Sequence, residues 1–486
     1  MQERIGRIMK STRIIALLLA LLTASSVGCG ESADTNETTD TTTAASTSDE
    51  TTSDAPELPD EDYEGYEFRI LTRIEGWGIY NNENLVVEEE NGEILNDAIY
   101  TRNRTVEERF NINLTQITTT NDIANEIKTT VMAGDDAYDL TVSTYQMNLG
   151  SEYFVDFMTL DYVNLDRPCW NQNYIEAATV GGKLCSAVNS IMITHMDSVL
   201  GMFYNKQLAE DCRLPDLYEL VRSGGWTLGK YFELTRDVTR DLNGDSGYDD
   251  NDQYAFVSLD GILRLGSGVK LEYAVKDEND YPKLNLEDEG LLSDIGQLRD
   301  WAQLYANEIY DPRTDKNTGG DGDKAVFRMF LNDQALFLVH GVGSAQMFRD
   351  MKSDFGVIPT PKLDESQEDY FITPDITKLL VIPVTASDLD RTAVIIEALA
   401  YEGYSYLRPL YYETMLQSKY LRDEESIEML DEYIYTNIGF SVVTGSSKLT
   451  EVVNSVIKGS SEASSAFASN KNTIQSEIDK YIELFE

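Results

Sequence analysis

Tyr66-Glu-Phe-Arg-Ile-Leu-Thr-Arg73 opens the stretch that decides the fold, and it runs on to Asp139-Leu-Thr-Val-Ser-Thr144. Phe68, Ile70 and Leu71 read as a strand that ends in polar residues. Leu95, Ala98, Ile99, Val106 and Phe110 then fall at helical spacing, with Arg102, Arg104, Glu107 and Glu108 off that face. Ile112-Asn-Leu-Thr-Gln-Ile-Thr118 alternates as a second strand. Asn121 to Met132 reads as a helix stopped by Gly134, and 139–144 as a third strand. Strand, helix, strand, helix, strand is the rhythm of a parallel sheet with covering helices.

The same class continues downstream. Strands are expected at Val199–Tyr204, Tyr254–Leu259, Ala335–Val339, Phe355–Ile358 and Leu379–Pro383. Helices are expected at Gly229–Arg240, at Leu291–Ile309, from Ala393 onward, and along the tail Ala463–Phe485. No internal repeat is evident. A globular part of this length exceeds what one hydrophobic core usually organises, so two lobes are expected.

Upstream, the apolar run Ile14–Leu22 follows Arg4, Arg7, Lys10 and Arg13, the pattern of a secretory signal and too short for a permanent span. Met9 is an alternative start. Ser26-Val27-Gly28-Cys29 resembles a lipoprotein cleavage box, with Ser26 where leucine is usual. Residues 1–28 are therefore read as signal and Cys29 as the lipidated new N-terminus; ordinary cleavage with release is the alternative. Up to Asp62 the chain is a Thr/Ser-rich acidic tether without Lys or Arg, with Leu58 its only large aliphatic residue. Such a segment cannot bury enough apolar surface to order itself. These features place the protein on the outer face of the cell membrane, held by lipid alone.

The net charge of −46 excludes most nucleic-acid binders, which need a basic face, and disfavours lying on an anionic membrane. Beyond Cys29 there are Cys169, Cys185 and Cys212, whose spacings match no metal site. Free or buried thiols are the preferred reading, with a Cys169–Cys185 bridge as the alternative.

Several motifs occur in one order. They are Leu95-Asn-Asp-Ala-Ile-Tyr-Thr-Arg-Asn-Arg-Thr-Val-Glu-Glu-Arg-Phe110, Phe203-Tyr-Asn-Lys206, Gly224-Gly-Trp-Thr-Leu228, and Phe355-Gly-Val-Ile-Pro-Thr-Pro-Lys362 with Gln367 and Tyr370. Together they resemble family 1 extracellular solute-binding proteins of bacterial ABC importers, of the long clostridial, maltose-binding-protein-like type. The resemblance spans nearly all of Tyr63–Glu486. It implies an α/β, two-lobed periplasmic-binding-protein-like (type II) fold, each lobe a sheet flanked by helices, the lobes joined by crossover hinge strands. Lobe 1 is expected at 63–190 plus 379–412, and lobe 2 at 191–378 plus 413–486. The implied function is a monomeric receptor that closes on a sugar or oligosaccharide and passes it to ABC permease subunits.

Ligands of such folds lie at the carboxyl ends of strands. That places Arg73, Trp77 and Tyr80 after the first strand, and Ser143, Tyr145 and Gln146 after the third. His195 and Asp197 lie in the crossover, Asp260 and Arg264 follow a later strand, and His340 ends another. Aromatic faces and planar charged groups are what sugar recognition needs. Trp170 reads as either cleft wall or lobe packing, while Trp226 and Trp301 read as core.

Asp241-Leu-Asn-Gly-Asp-Ser-Gly-Tyr-Asp-Asp-Asn-Asp252 is the clearest local motif. Oxygens of Asp241, Asn243, Asp245, Asp249 and Asp252 stand at positions 1, 3, 5, 9 and 12 of a calcium loop, which suggests a structural Ca2+. Ser246 replaces the usual glycine, and Asp252 the longer Glu. An acidic turn without metal is the alternative. A secreted glycan hydrolase is the rival function, and a peptide or other solute the rival ligand. No nucleophile elbow, zinc helix or phosphate loop is found, and an all-β lectin would need strand spacing that this chain lacks.

Overall fold

The computed structural model describes residues 55–73, 85–143, 150–313, 322–413 and 420–486. The signal, Cys29 and most of the tether therefore lie outside the described residues, as do Trp77, Tyr80, Tyr145 and Gln146.

The strands among the described residues are β1 Tyr66–Arg73, β2 Ile112–Thr119, β3 Leu140–Ser143, β4 Leu200–Asn205, β5 Tyr254–Val257, β6 Ala274–Lys276, β7 Pro282–Leu284, β8 Ile309–Tyr310, β9 Ala335–Gly341, β10 Phe355–Ile358 and β11 Leu379–Val381. One sheet has the order β11-β3-β1-β2, and a second has β10-β4-β9-β5-β8. In the first, β1 runs parallel to β2 and β3, as the opening rhythm predicts, and β11 is antiparallel. The second sheet is mixed: β4 is antiparallel to both β9 and β10, while β5 is parallel to β8 and β9. Period and length identify strands but do not carry their direction, so the parallel expectation fails there.

The helix Ile94–Phe110 buries Ala98, Ile99, Val106 and Phe110, the face its spacing predicts. Its Arg102 is also buried and donates to the carbonyls of Leu85 (2.9 Å) and Ile191, tying the start of a crossing segment to the helix. The helix expected over 291–309 ends at Leu304. Tyr305 stacks on Phe232 at 4.1 Å, and Ile309 joins β8 beside Phe256, so strand pairing overrides helical periodicity. The helix expected to reach Arg240 stops at Thr235, because Arg240 pairs by its backbone with Gln253 across the neck of the acidic loop.

Three buried clusters form the core of the described residues. The largest surrounds the second sheet. The others cover the two faces of the first, one around Phe68, Ile70, Leu380 and Trp170, the other around Leu71, Ile127 and Val381. Trp226 is fully buried and donates from Nε1 to the carbonyl of Pro359 at 3.0 Å. Trp301 packs on Phe232.

The tail does not stay with the second sheet. Phe440 and Val443 pack against the first sheet's core. The helix Ala463–Glu483 starts in the second core with Phe467, Ile474 and Ile478, then delivers Tyr481 and Phe485 to the cluster under Leu71. Gly150 makes that docking possible, since a Cβ there would meet the Leu484 carbonyl oxygen at 1.8 Å. Cys169, Cys185 and Cys212 are free thiols, the first two buried in different clusters. Burial pushes both of those thiols up to about 12. No helix among the described residues is long and apolar enough to cross a membrane.

Candidate functional site

The topology fixes where a site can form. β1 and β3 are parallel, so Arg73 and Ser143 end at one edge of the first sheet. Leu379 pairs with Ser143 at that edge. Five residues earlier, Pro374 bridges Val199, whose neighbour Leu200 pairs with Gly341 at the end of β9. A crossing of a few residues thus links the carboxyl edge of one sheet to the matching edge of the other. Chain leaving strands at both edges exposes backbone polar groups and short loops, the usual setting for ligands in α/β folds.

On the second sheet's edge three groups of charged residues gather. Asp260 follows β5 in a left-handed conformation, φ 63°, and pairs with Arg313 beyond β8. Arg264 holds Asp375 of the crossing at 2.5 Å, both side chains largely buried. The Asp375 amide in turn donates to the Ser198 carbonyl at 2.7 Å. Asp197 ends the short helix Thr194–Asp197 and accepts a hydrogen bond from the Tyr411 hydroxyl. Burial pushes the Asp197 carboxyl up to about 6, against the pull of Tyr411 and His340. His340 is buried beside Phe327, and its Nδ1 lies 2.6 Å from the Ser344 hydroxyl. Gly343 leaves room for the carboxylate, because a Cβ there would sit 1.7 Å from Asp197 Oδ1.

Asp197, Asp260, Arg264 and His340 thus stand on one edge, while Arg73 ends β1 on the other sheet, half-buried. Trp170 does not act as a free aromatic face. It is 1 % exposed, stacks edge-on against Phe157, and donates its Nε1 proton to Glu397 at 2.8 Å. A buried carboxylate partner for that proton is not legible from sequence. Tyr411, Arg313 and Asp375 are the functional candidates that sequence reading missed. Tyr411 sits one residue before the expected lobe boundary, a signal that was available.

The acidic loop is closed by its own amides. Asp241 accepts from Gly244 N (2.6 Å) and Ser246 N (2.9 Å), and Asp245 from Gly247 N (2.7 Å). The buried Asp252 accepts from Leu242 N and Asp249 N. Ser246, where a calcium loop turns through glycine, has φ 67°. The donor types suit a hard cation, but no three His, Cys, Asp or Glu side chains among the described residues are grouped to hold a metal. The carboxylates in this conformation serve the turn.

No protein-family model and no curated protein sequence matches the chain. Solved structures do. A cyclo/maltodextrin-binding protein complexed with maltotetraose aligns at TM-score 0.54 and 12% identity, covering 86% of this chain and 99% of that one. The GacH receptor of Streptomyces glaucescens, solved unliganded and with acarbose, aligns at 0.51 and 11%, covering 85% and 99%. MalX from Streptococcus pneumoniae, in complex with maltopentaose, aligns at 0.50 and 16%, again covering 85% and 99%. At such identity the likeness speaks of architecture, and the chain has the two-lobed α/β fold of these binding proteins.

Proposed function

We propose that the chain is an extracellular receptor that captures a sugar or oligosaccharide between its lobes and passes it to the transmembrane subunits of an ABC importer. The observation that carries this reading is the pair of carboxyl edges joined by a short crossing, one of them bearing Asp197 with Tyr411, Asp260 with Arg313 and Arg264 with Asp375. Carboxylates and guanidinium groups held by neighbours present fixed acceptors and donors, which suits vicinal hydroxyls. The chain is anchored through Cys29, in keeping with the signal-like start. A hydrolase needs two carboxylates free to act as acid and base. Asp197 has a raised pKa, but Asp260 and Asp375 are both tied to arginines, which favours binding over turnover.

Calorimetric and thermal-shift titration of the full chain with maltodextrins, other oligosaccharides and short peptides tests the reading. A sugar at a hundredfold excess over its Kd should stabilise the fold by about 2.7 kcal/mol. Arg264→Gln should weaken that sugar by at least about tenfold, since it removes a fixed donor and frees Asp375. Binding of peptides alone would overturn the sugar, and release of shorter glycans would overturn the receptor.

Calcium at the acidic loop is proposed as a structural ligand that replaces the amide contacts of Asp241 and Asp245. Melting should then rise with calcium at about 1 mM, the range of extracellular sites, and Asp241→Asn should abolish the rise. An unchanged melting curve in calcium and in chelator would remove the metal.

A further inference from the structure

Among the crossing segments lies a cavity of about 200 Å3. Its walls include Trp170, Asn189, His195, Arg408 and Tyr435. Three of these carry hydrogen-bonding capacity that no protein group uses. Asn189 is 2 % exposed. Its Oδ1 accepts from Ile191 N at 3.0 Å, which fixes the amide's orientation and leaves Nδ2 as a buried donor without a partner. The Nδ1 of His195 is likewise shut from solvent and unpartnered. With the ring's proton on Nε2, the unpartnered Nδ1 offers a lone pair to the cavity. Burial and the neighbouring Arg408 hold that ring neutral, its pKa lowered to about 4. Arg408 stacks over the Tyr404 ring at 5.3 Å and makes no ion pair with a described residue.

The walls therefore present one guanidinium, one amide donor and one imidazole acceptor. The buried Asn189 Nδ2 and His195 Nδ1 cost free energy while unmatched, so the site favours an occupant that answers both and pairs with the half-buried Arg408. A neutral sugar would leave the guanidinium charge uncompensated, and a bare anion would set its lone pairs against Nδ1. We propose that this cavity binds a small oxyanion that carries one O–H, such as hydrogen phosphate or a short hydroxycarboxylate. The anionic oxygens take the Arg408 and Asn189 protons, and the O–H donates to His195 Nδ1. The cavity exceeds the roughly 30 Å3 share of a single water. This proposal stands apart from the sugar reading, because it uses none of the residues at the strand edges.

Its position gives it a consequence. Trp170 belongs to a core of the first sheet, while Met196, next to His195 and also lining the cavity, belongs to the core of the second. An occupant touches segments rooted in both, so it biases whichever lobe arrangement keeps those walls together.

The chain has two histidines, so a long-range proton–nitrogen spectrum of the full-length protein shows two imidazoles, assigned with His195→Gln. Inorganic phosphate and sulfate are titrated in parallel at neutral pH, then lactate and acetate. Phosphate and lactate each bear an O–H, whereas sulfate and acetate bear none. Phosphate or lactate should move the His195 Nδ1 resonance at least tenfold more tightly than its partner anion, and the one that binds identifies the source. Arg408→Gln should abolish the shift while circular dichroism stays unchanged. Equal response to phosphate and sulfate would overturn the O–H match. No response to any of the four would mean that the cavity holds only water, and would overturn the site.

Discussion

Asp197→Asn should make the protein more stable at pH 7 and a poorer binder. The carboxyl is pushed from an ordinary 3.8 up to about 6 by burial. Its folded pKa therefore lies above its unfolded value. The stability it contributes is full below about pH 4 and is lost as pH rises through 6. A shift of about two units corresponds to at most about 3 kcal/mol, less what residual solvent contact screens. The asparagine variant keeps an oxygen for the Tyr411 hydroxyl and removes the partly buried charge. Urea titrations should then show the variant ahead by up to about 3 kcal/mol at pH 7 and level with the parent at pH 4. Ligand affinity should fall at the same time, by about tenfold or more, because a charge-assisted acceptor is replaced by a neutral one. Equal stability at both pH values would show that Asp197 is solvated. Unchanged affinity would remove it from the site.

Glu397→Ala should cause the largest loss of stability of any single change considered. Glu397 lies on the helix Leu389–Glu402, fully buried. It accepts Trp170 Nε1–H at 2.8 Å and pairs with Arg167 Nε at 3.0 Å, with the Asn164 amide at 3.4 Å. Burial raises its pKa, opposed by Trp170, Asn164 and Arg167. Truncation leaves a buried indole N–H without its acceptor and takes the Glu397 carboxylate from the partly buried Arg167. Breaking one half of such a pair costs about 3–5 kcal/mol. Glu397→Gln keeps an acceptor for the indole and should cost clearly less. The denaturant midpoint should drop in the alanine variant with the slope unchanged. A loss below about 1 kcal/mol would mean that water replaces the carboxylate, and the account of Trp170 as a packed residue would fail.

Much of this architecture is legible in the residues themselves. Tyr66–Arg73 and Phe355–Ile358 read as strands and form them with the same bounds, because short β-branched and aromatic runs bounded by turn residues have few other solutions. Long helices with one apolar face are equally plain. What periodicity does not encode is pairing. The antiparallel neighbours of β4 lie more than a hundred residues downstream, and the hairpin of β6 and β7 is too short to stand out. The site is legible in part for the same reason. Asp260 and His340 follow from knowing where strands end. Asp375 and Tyr411 reach that edge only through crossings, and a partner such as Arg313 depends on how β8 enters the sheet.

The route of the tail bears on how the chain is made. The first sheet lacks β11 until Val381 exists, and the cluster beneath Leu71 lacks Tyr481 and Phe485 until the helix Ala463–Glu483 and the residues after it have been made. A nascent chain wired this way cannot complete its N-terminal core while it is still being translated, in contrast to domains that fold one after another as they emerge. It stays unlocked until Tyr481 and Phe485 have been added. That delay keeps the first sheet open while the later segments are made, and it arises from the order of the segments alone.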